Sequence, residues 1–133
     1  MLACGLVVCA LAQLGQTDPV TLACTGKTLA YTPDLSRQVE VREPFEFRVV
    51  VSLSLGRLTG AHIVDAHSFE LRDAGDAVFF FRDRVIAGRT AFEWISISRV
   101  SGRYAHFVAF RDAASGSLEP STLMTAAGCE MAT

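Results

Sequence analysis

The sequence contains no asparagine, and Lys27 is its only lysine. The absence of asparagine excludes the Asn-x-Ser/Thr acceptor, so the chain cannot be N-glycosylated in any compartment. Every other basic side chain is an arginine. We interpret this bias as the mark of a GC-rich bacterial genome.

The chain also lacks a strong excess of charge of either sign. It has 12 Lys and Arg residues against 14 Asp and Glu residues, and the two signs alternate, as in Arg42, Glu43, Glu46 and Arg48. Without a basic stripe, nucleic acid is not the expected partner. An apolar fraction of 50% and a length of 133 residues are typical of a single globular domain.

No apolar run is long enough to cross a bilayer, which takes about twenty residues. The longest apolar run, LACGLVVCALA, covers residues 2–12, carries no charge and ends in Ala10-Leu11-Ala12, a small-x-small cleavage pattern. We predict a signal peptide over 1–12 with cleavage near Ala12, a single domain over 13–133, export to the periplasm or beyond, and no transmembrane anchor. Because no basic residue precedes Lys27, a buried first element of a cytosolic domain is the alternative.

Cysteine is scarce, and its positions are informative. Cys4 and Cys9 lie inside the predicted signal peptide, which leaves Cys24 and Cys129 for the exported domain. An even pair in an exported chain predicts a disulfide, here joining residues near the two ends. A metal site would need more ligands near either cysteine.

Sustained helical spacing is missing, whereas alternation with a period of two is frequent. In 45–55, FEFRVVVSLSL, alternate positions are apolar almost throughout, which predicts a half-buried strand. We predict a turn over 56–60, a hairpin at 73–76, and further strands at 20–24, 28–31, 38–42, 67–72, 77–81, 90–98, 103–111 and 122–130. The fold class is therefore all-β: a single antiparallel β-barrel or β-sandwich of about seven to eight short strands.

The apolar side of the strand over 90–98 changes midway. Phe92 and Trp94 share one face, while Ile95 and Ile97 share the other. A β-bulge near Trp94, or burial of both faces, would explain the change.

The segment Ile97-Ser98-Arg99-Val100-Ser101-Gly102, with Cys129 close to the end, resembles a group of small exported bacterial proteins. These carry an I-D-R-x-[ST]-G turn and a terminal G-x-C, and the group has no assigned function. The chain departs from the pattern at Ser98, which replaces the aspartate, and at Gly128, which directly precedes Cys129. The resemblance covers about the last third of the chain and implies the fold, export and the disulfide, but no catalytic residue.

Residues able to carry chemistry are few. His62, Asp65 and His67 form an H-x-x-D-x-H cluster that would suit Zn²⁺ or a hydrolase if a turn brought them together. On one continuous strand, His62 and Asp65 would point to opposite faces. The sequence has no G-x-S-x-G nucleophile elbow and no phosphate-binding glycine loop. We therefore expect no cofactor and no catalytic residue.

Aromatic residues are concentrated between residues 79 and 110. Three consecutive phenylalanines cannot all face one way on a strand, so some of the aromatics belong either to a plain core or to an apolar groove. The candidate surface consists of Phe79, Phe80, Phe81 and Trp94, with Arg82 and Arg84 at its rim to orient a polar group.

These features predict a non-enzymatic exported module that binds or inhibits a protein or an envelope component. The alternative is a small barrel that carries an apolar ligand. A hydrolase or metal-binding protein that uses the region around His62 is less favoured.

Overall fold

The computed structural model describes residues 11, 14, 18–31, 38–60, 63, 69–86, 88–119 and 123–132. Eight antiparallel strands form one sheet that curls into a half-barrel, and no helix occurs among the described residues. The predicted all-β class is confirmed, as a single curled layer. The strands are β1 (Val20–Tyr31), β2 (Gln38–Ser52), β3 (Arg57–Gly60), β4 (Glu70–Asp73), β5 (Ala77–Ile86), β6 (Arg89–Ser98), β7 (Arg103–Phe110) and β8 (Leu123–Met131).

The strand order is β3-β2-β1-β8-β7-β6-β5-β4. The first three strands form one meander and the last five form another, since each strand within a meander pairs with its neighbour in sequence. Among the described strands, only β1 and β8 pair across the two meanders, in a register that runs from Leu22 opposite Met131 to Ala30 opposite Leu123. This pairing joins the two halves of the sheet.

The predicted disulfide lies on this pairing and is confirmed. Cys24 and Cys129 are directly opposite each other, with their Cα atoms 4.1 Å apart. The N–H of Cys129 donates to the carbonyl of Gly102 on the β7 side, at 2.7 Å. Cys129 therefore faces β1 as a non-hydrogen-bonded pair, the position at which opposing side chains approach most closely.

Gly26 allows β1 and β8 to approach each other two residues further along. A Cβ atom at this position would lie 2.1 Å from the carbonyl oxygen of Ala126 and 2.6 Å from the Cα of Ala127. Both are backbone atoms that cannot rotate away. Any side chain at position 26 would therefore push the two strands apart.

The core lies on the concave face of the sheet. Alternation along each strand directs one side chain in two to this face, and the core side chains come from both meanders. Fully buried members include Leu22, Val49, Val51, Leu58, Val78, Phe80, Ile95 and Ile97.

Arg99 ties together three separate parts of the chain. It lies in the β6–β7 turn and is 6% exposed. Its guanidinium donates to both carboxylate oxygens of Asp73, at 2.6 and 2.9 Å, to the carbonyl of Gly75 at 2.7 Å, and to the carbonyl of Leu14 at 2.9 Å. Hydrogen bonding from Arg99 holds the pKa of Asp73 below its ordinary value. The guanidinium of Arg99 therefore connects its own β6–β7 turn to the β4–β5 hairpin and to the segment before β1.

Leu11 and Leu14 are part of the same core. Both side chains are buried, and the N–H of Leu11 donates to the carbonyl of Arg99 at 2.9 Å. Cleavage near Ala12 would therefore remove a core side chain together with the signal peptide. The cleavage site stays a prediction.

Several strands extend beyond the bounds predicted from sequence. The segments 38–42 and 45–55 belong largely to one strand, β2, and 20–24 and 28–31 belong to β1. Within the predicted turn over 56–60, residues Arg57–Gly60 form the edge strand β3. The predicted hairpin at 73–76 is present, and Gly75 adopts a φ of 86° there, which favours glycine.

Of the two explanations for the change of apolar side on β6, the β-bulge near Trp94 is absent. The pairing of β6 with β5 and with β7 runs without interruption. The apolar side changes because β6 carries hydrophobic side chains on both faces: Ile95 and Ile97 are buried in the core, whereas Phe92 and Trp94 lie on the outer face.

The disulfide is expected to stabilise the fold by constraining the unfolded chain, since it closes a loop of 105 residues. The double variant Cys24→Ala/Cys129→Ala should lose about 4 to 5 kcal/mol of unfolding free energy. Urea titrations of the wild-type and variant proteins, each with and without reductant, measure this loss. Reductant should lower the wild-type midpoint and leave the variant unchanged. Equal midpoints for the oxidised wild type and the variant would contradict the prediction.

Candidate functional site: an outer aromatic surface and a buried charged cluster

Five aromatic side chains lie together on the outer face of β5, β6 and β7. The register places Phe81 opposite Trp94 and Trp94 opposite Phe107. Residues two apart on a strand share a face, so these side chains project away from the core. We call this set the outer aromatic surface; its members are Phe79, Phe81, Phe92, Trp94 and Phe107.

Trp94 is the centre of this surface. Its ring centroid lies 5.8 Å from that of Phe79 and 4.9 Å from that of Phe107, with interplanar angles of 56° and 59°. Tilted rings at such distances are a favourable aromatic arrangement. Trp94 is nevertheless 36% exposed. The ring is therefore held in place by its neighbours and still open to a partner.

An open cavity of about 290 Å³ lies over this surface. Its lining is aromatic apart from Arg72 on the edge strand β4, which stands opposite Phe79 in the register. The arrangement offers an apolar floor with one cation at the side. Chemically, it can receive an apolar group whose neighbour carries negative charge.

A wider depression of about 840 Å³ lies over β1, β7 and β8. Half of its lining residues are glycine or alanine, and Thr25, Lys27 and Arg103 are among its polar members. It contains no cluster of aromatic groups that would anchor a ligand.

The candidate residues predicted from sequence divide between the two faces of the sheet. Phe79, Phe81 and Trp94 come together on the outer face. Phe80 is fully buried on the concave face, where its ring meets that of Phe69 at 6.1 Å. Arg82 and Arg84 share the concave face with it, so they do not form a rim to the aromatic residues.

The sequence places Phe92 on the same face of its strand as Trp94 but does not include it in the candidate surface. Phe107 and Arg72 are not predicted as members of that surface. They lie on neighbouring strands, so their side chains can be assigned to the face of Trp94 and Phe79 only when the strand register is known.

A cluster of charged side chains is buried on the concave face around Glu93, which is fully buried. The Nε of Arg82 donates to Glu93 Oε1 at 2.7 Å, and Nε2 of His106 lies 2.6 Å from Oε2. Arg82 is 4% exposed and also lies over the ring of Phe69, with Cζ 4.0 Å from the centroid. Both carboxylate oxygens therefore have a close partner.

Arg84 is the fourth member of this buried charged cluster. Its Nε lies 3.0 Å from Glu93 Oε1 but makes no aligned hydrogen bond. Its side chain is 26% exposed, against 2% for the side chain of Arg82. Arg84 is therefore the member of the cluster that reaches solvent.

The electrostatics of Glu93 follow from opposing effects. Burial raises the pKa of this carboxyl. The hydrogen bonds with His106 and Arg82 together lower the pKa by more than burial raises it, so the net shift is downward. Glu93 is thus ionised, and the Nε2–H of His106 donates to it. Burial, together with the negative charge of Glu93, raises the pKa of Tyr104. The Glu93–His106 pair resembles the oriented base of a hydrolase, but both groups are too buried to meet a substrate.

The remaining sequence-based candidates, His62, Asp65 and His67, lie outside the described residues. Within the described ranges, no group of three or more His, Cys, Asp or Glu side chains is arranged to hold a metal ion. In the same part of the chain, no helix is long and apolar enough to cross a membrane.

Comparisons with protein-family models, with curated proteins and with solved structures found no significant match.

The carboxylate of Glu93 is expected to be essential to stability, because its loss removes the buried negative charge that contacts Arg82 and His106. Glu93→Gln should lower the unfolding free energy by about 3 to 5 kcal/mol near neutral pH, measured by urea titration. The matched control is Glu119→Gln, which breaks an exposed pair with Arg89 at 2.8 Å. It should cost less than about 1 kcal/mol.

The effect of Glu93→Gln should also depend on pH. The folded-state pKa of Glu93 lies below its ordinary value of 4.5, so its stabilising contribution is present above that pH and is lost as the pH falls through the folded-state pKa. The difference in unfolding free energy between wild type and variant should therefore narrow only as the pH falls below 4.5. A difference that stays constant between neutral and acid pH would contradict an ionised Glu93.

Proposed function

We propose that this protein is an exported, non-enzymatic binding module that recognises a protein partner through its outer aromatic surface. The observation that carries the proposal is the exposure of Trp94 at the centre of an aromatic group with an arginine at its edge. Exposed apolar patches of this kind mark interaction sites, and Trp and Arg are enriched among the residues that dominate binding energy.

The chemistry of the surface suggests the kind of partner segment. The cavity over Phe79, Phe81 and Trp94 suits one aliphatic or aromatic side chain. Arg72, exposed beside Phe79, would pair with a carboxylate next to that side chain. The expected occupant is thus an extended or looped segment of a protein that carries an apolar residue beside an acidic one.

An apolar-ligand carrier has weaker support. Its ligand would occupy the concave face, but the described part of that face is filled by side chains such as Phe80, Ile95 and Tyr104, each at most 1% exposed. Catalysis also has weak support, because the Glu93–His106 pair is buried.

Trp94 provides a direct test, since it is the only tryptophan in the chain. An occupant of the outer aromatic surface should change its fluorescence emission on titration. For a protein partner purified from the envelope fraction of the source cells, Trp94→Ala should weaken binding by about 30-fold or more, as expected for a dominant contact.

The matched control is Val100→Ala, which removes an exposed apolar side chain, 43% accessible, from the β6–β7 turn. It should leave the affinity unchanged. A partner that binds wild type and Trp94→Ala equally well would overturn the proposal. A saturable change of Trp94 emission with fatty acids, and none with any envelope protein, would show that the outer aromatic surface takes an apolar small molecule instead of a protein.

Export is part of the same proposal. The disulfide is compatible with an oxidising compartment, and the signal peptide over 1–12 would direct the chain there. The intact mass of the protein purified from its native host should lack about the first dozen residues. Cys24 and Cys129 should not react with an alkylating reagent until a reductant has opened their disulfide. A full-length mass with reactive thiols would contradict export.

A further inference from the structure

The strand β4 lies at one edge of the sheet. Among the described strands it pairs only with β5. Glu70 and Arg72 are exposed and lie on the outer face, opposite Phe81 and Phe79. Leu71, between them, is half-buried and packs against the concave core. The unpaired backbone groups of an edge strand are a template for pairing with a further strand.

The hairpin that follows β4 fixes which of its backbone groups face the open edge. The N–H of Ala74 donates to the carbonyl of Ala77 at the start of β5, at 2.9 Å. Successive residues of a strand direct their backbone groups to opposite sides, so Arg72 and Glu70 also bond toward β5. The N–H and the carbonyl of Leu71 therefore point away from the sheet, toward the open edge.

We propose that the open edge of β4 binds β4 of a second copy of this chain, antiparallel and with Leu71 opposite Leu71. In this register the two leucines exchange their backbone hydrogen bonds, which the outward direction of these groups allows. Glu70 of each copy then lies opposite Arg72 of the other copy, on the outer face. Both are non-hydrogen-bonded pairs, in which opposing side chains approach most closely. Each carboxylate thus meets a guanidinium.

The charges select this register over its neighbours with the same direction of hydrogen bonding. Symmetric pairing centred on Arg72 would place two guanidinium groups opposite each other, and pairing centred on Asp73 would do the same with two carboxylates. Like charges directly opposite each other destabilise a strand pair, whereas opposite charges stabilise it. Charged side chains normally protect an edge strand from pairing. The order Glu-Leu-Arg makes this edge complementary to itself.

The dimer would present two binding surfaces together. Its two-fold axis is perpendicular to the sheet, so both outer aromatic surfaces lie on the same side. A partner that carries the recognised segment twice would bind both and gain avidity. This consequence rests on the proposed function, whereas the strand pairing does not. The guanidinium of Arg72 has several N–H donors, enough for Glu70 of the second copy and for a carboxylate of that partner.

The test measures the molar mass of the full oxidised chain by sedimentation equilibrium, at low salt and at concentrations up to the solubility limit. A reversible equilibrium between monomer and dimer is expected. Glu70→Arg and Arg72→Glu should each raise its Kd about tenfold or more, because the two-fold axis repeats every change. A chain that stays monomeric at every concentration overturns the proposal, as does a dimer whose Kd neither substitution changes.

Mixing the two variants gives the sharpest comparison. When Glu70→Arg meets Arg72→Glu, both opposing pairs regain opposite charges, so a mixed dimer should form where each variant alone is monomeric. A mixture that associates no better than its components overturns the proposal. Arg103→Glu reverses an exposed charge on β7 and should leave the wild-type Kd unchanged. Trp94→Ala should also leave it unchanged, and a dimer lost in Trp94→Ala would place the contact on the outer aromatic surface instead.

Amide hydrogen exchange of the wild-type protein supplies a readout that needs no variant. The N–H of Leu71 should exchange more slowly as the protein concentration rises, because it gains its hydrogen bond only in the dimer. The N–H of Arg72, which is directed toward β5, should be protected at every concentration. A Leu71 amide that exchanges equally fast in dilute and concentrated protein would overturn the proposal.

Discussion

The pairing of β1 with β8 is the contact on which the rest of the sheet depends. All the other strand pairs join consecutive strands, so each meander is specified locally. The curled sheet, by contrast, exists only when the two meanders meet. Two local features support the pairing of β1 with β8. Gly26 permits the close approach of the two backbones, and the disulfide links the two strands covalently. The concave core is complete only after that meeting, because its side chains come from both meanders.

The uninterrupted register of β5, β6 and β7 separates two different chemistries on opposite faces. A shift of one residue in β6 would bring Trp94 into the core and turn Glu93 toward solvent. The buried ion pairs with Arg82 and His106 oppose such a shift, because a slipped register would leave those cations without their carboxylate. The same alternation thus fixes both the charged cluster inside and the aromatic surface outside.

Much of the architecture could be predicted from the sequence, because alternation of apolar residues and the cysteine pair are local or countable signals. Such local signals predicted the strands around 90–98 and 103–111 and the hairpin at 73–76. The continuity of β1 and β2 could not be predicted in this way. The sequence suggests breaks in both segments, but the two strands continue through them because their pairing becomes irregular there. The role of Arg99 and the partners of Glu93 were also out of reach. Both depend on residues that lie far apart in sequence, and an isolated charged residue gives no sign of burial.

The strand order also determines what the chain must endure while it is being made. β1 is complete early, but its partner β8 is formed from residues 123–131, so one edge of β1 stays open until residue 131 has been synthesised. An open strand edge is a template for pairing with other molecules. Long-range pairing of this type is also slow, because the chain must close a large loop before the contact is gained. The order of the strands along the chain therefore leaves this edge of β1 available to other molecules for as long as β8 is missing.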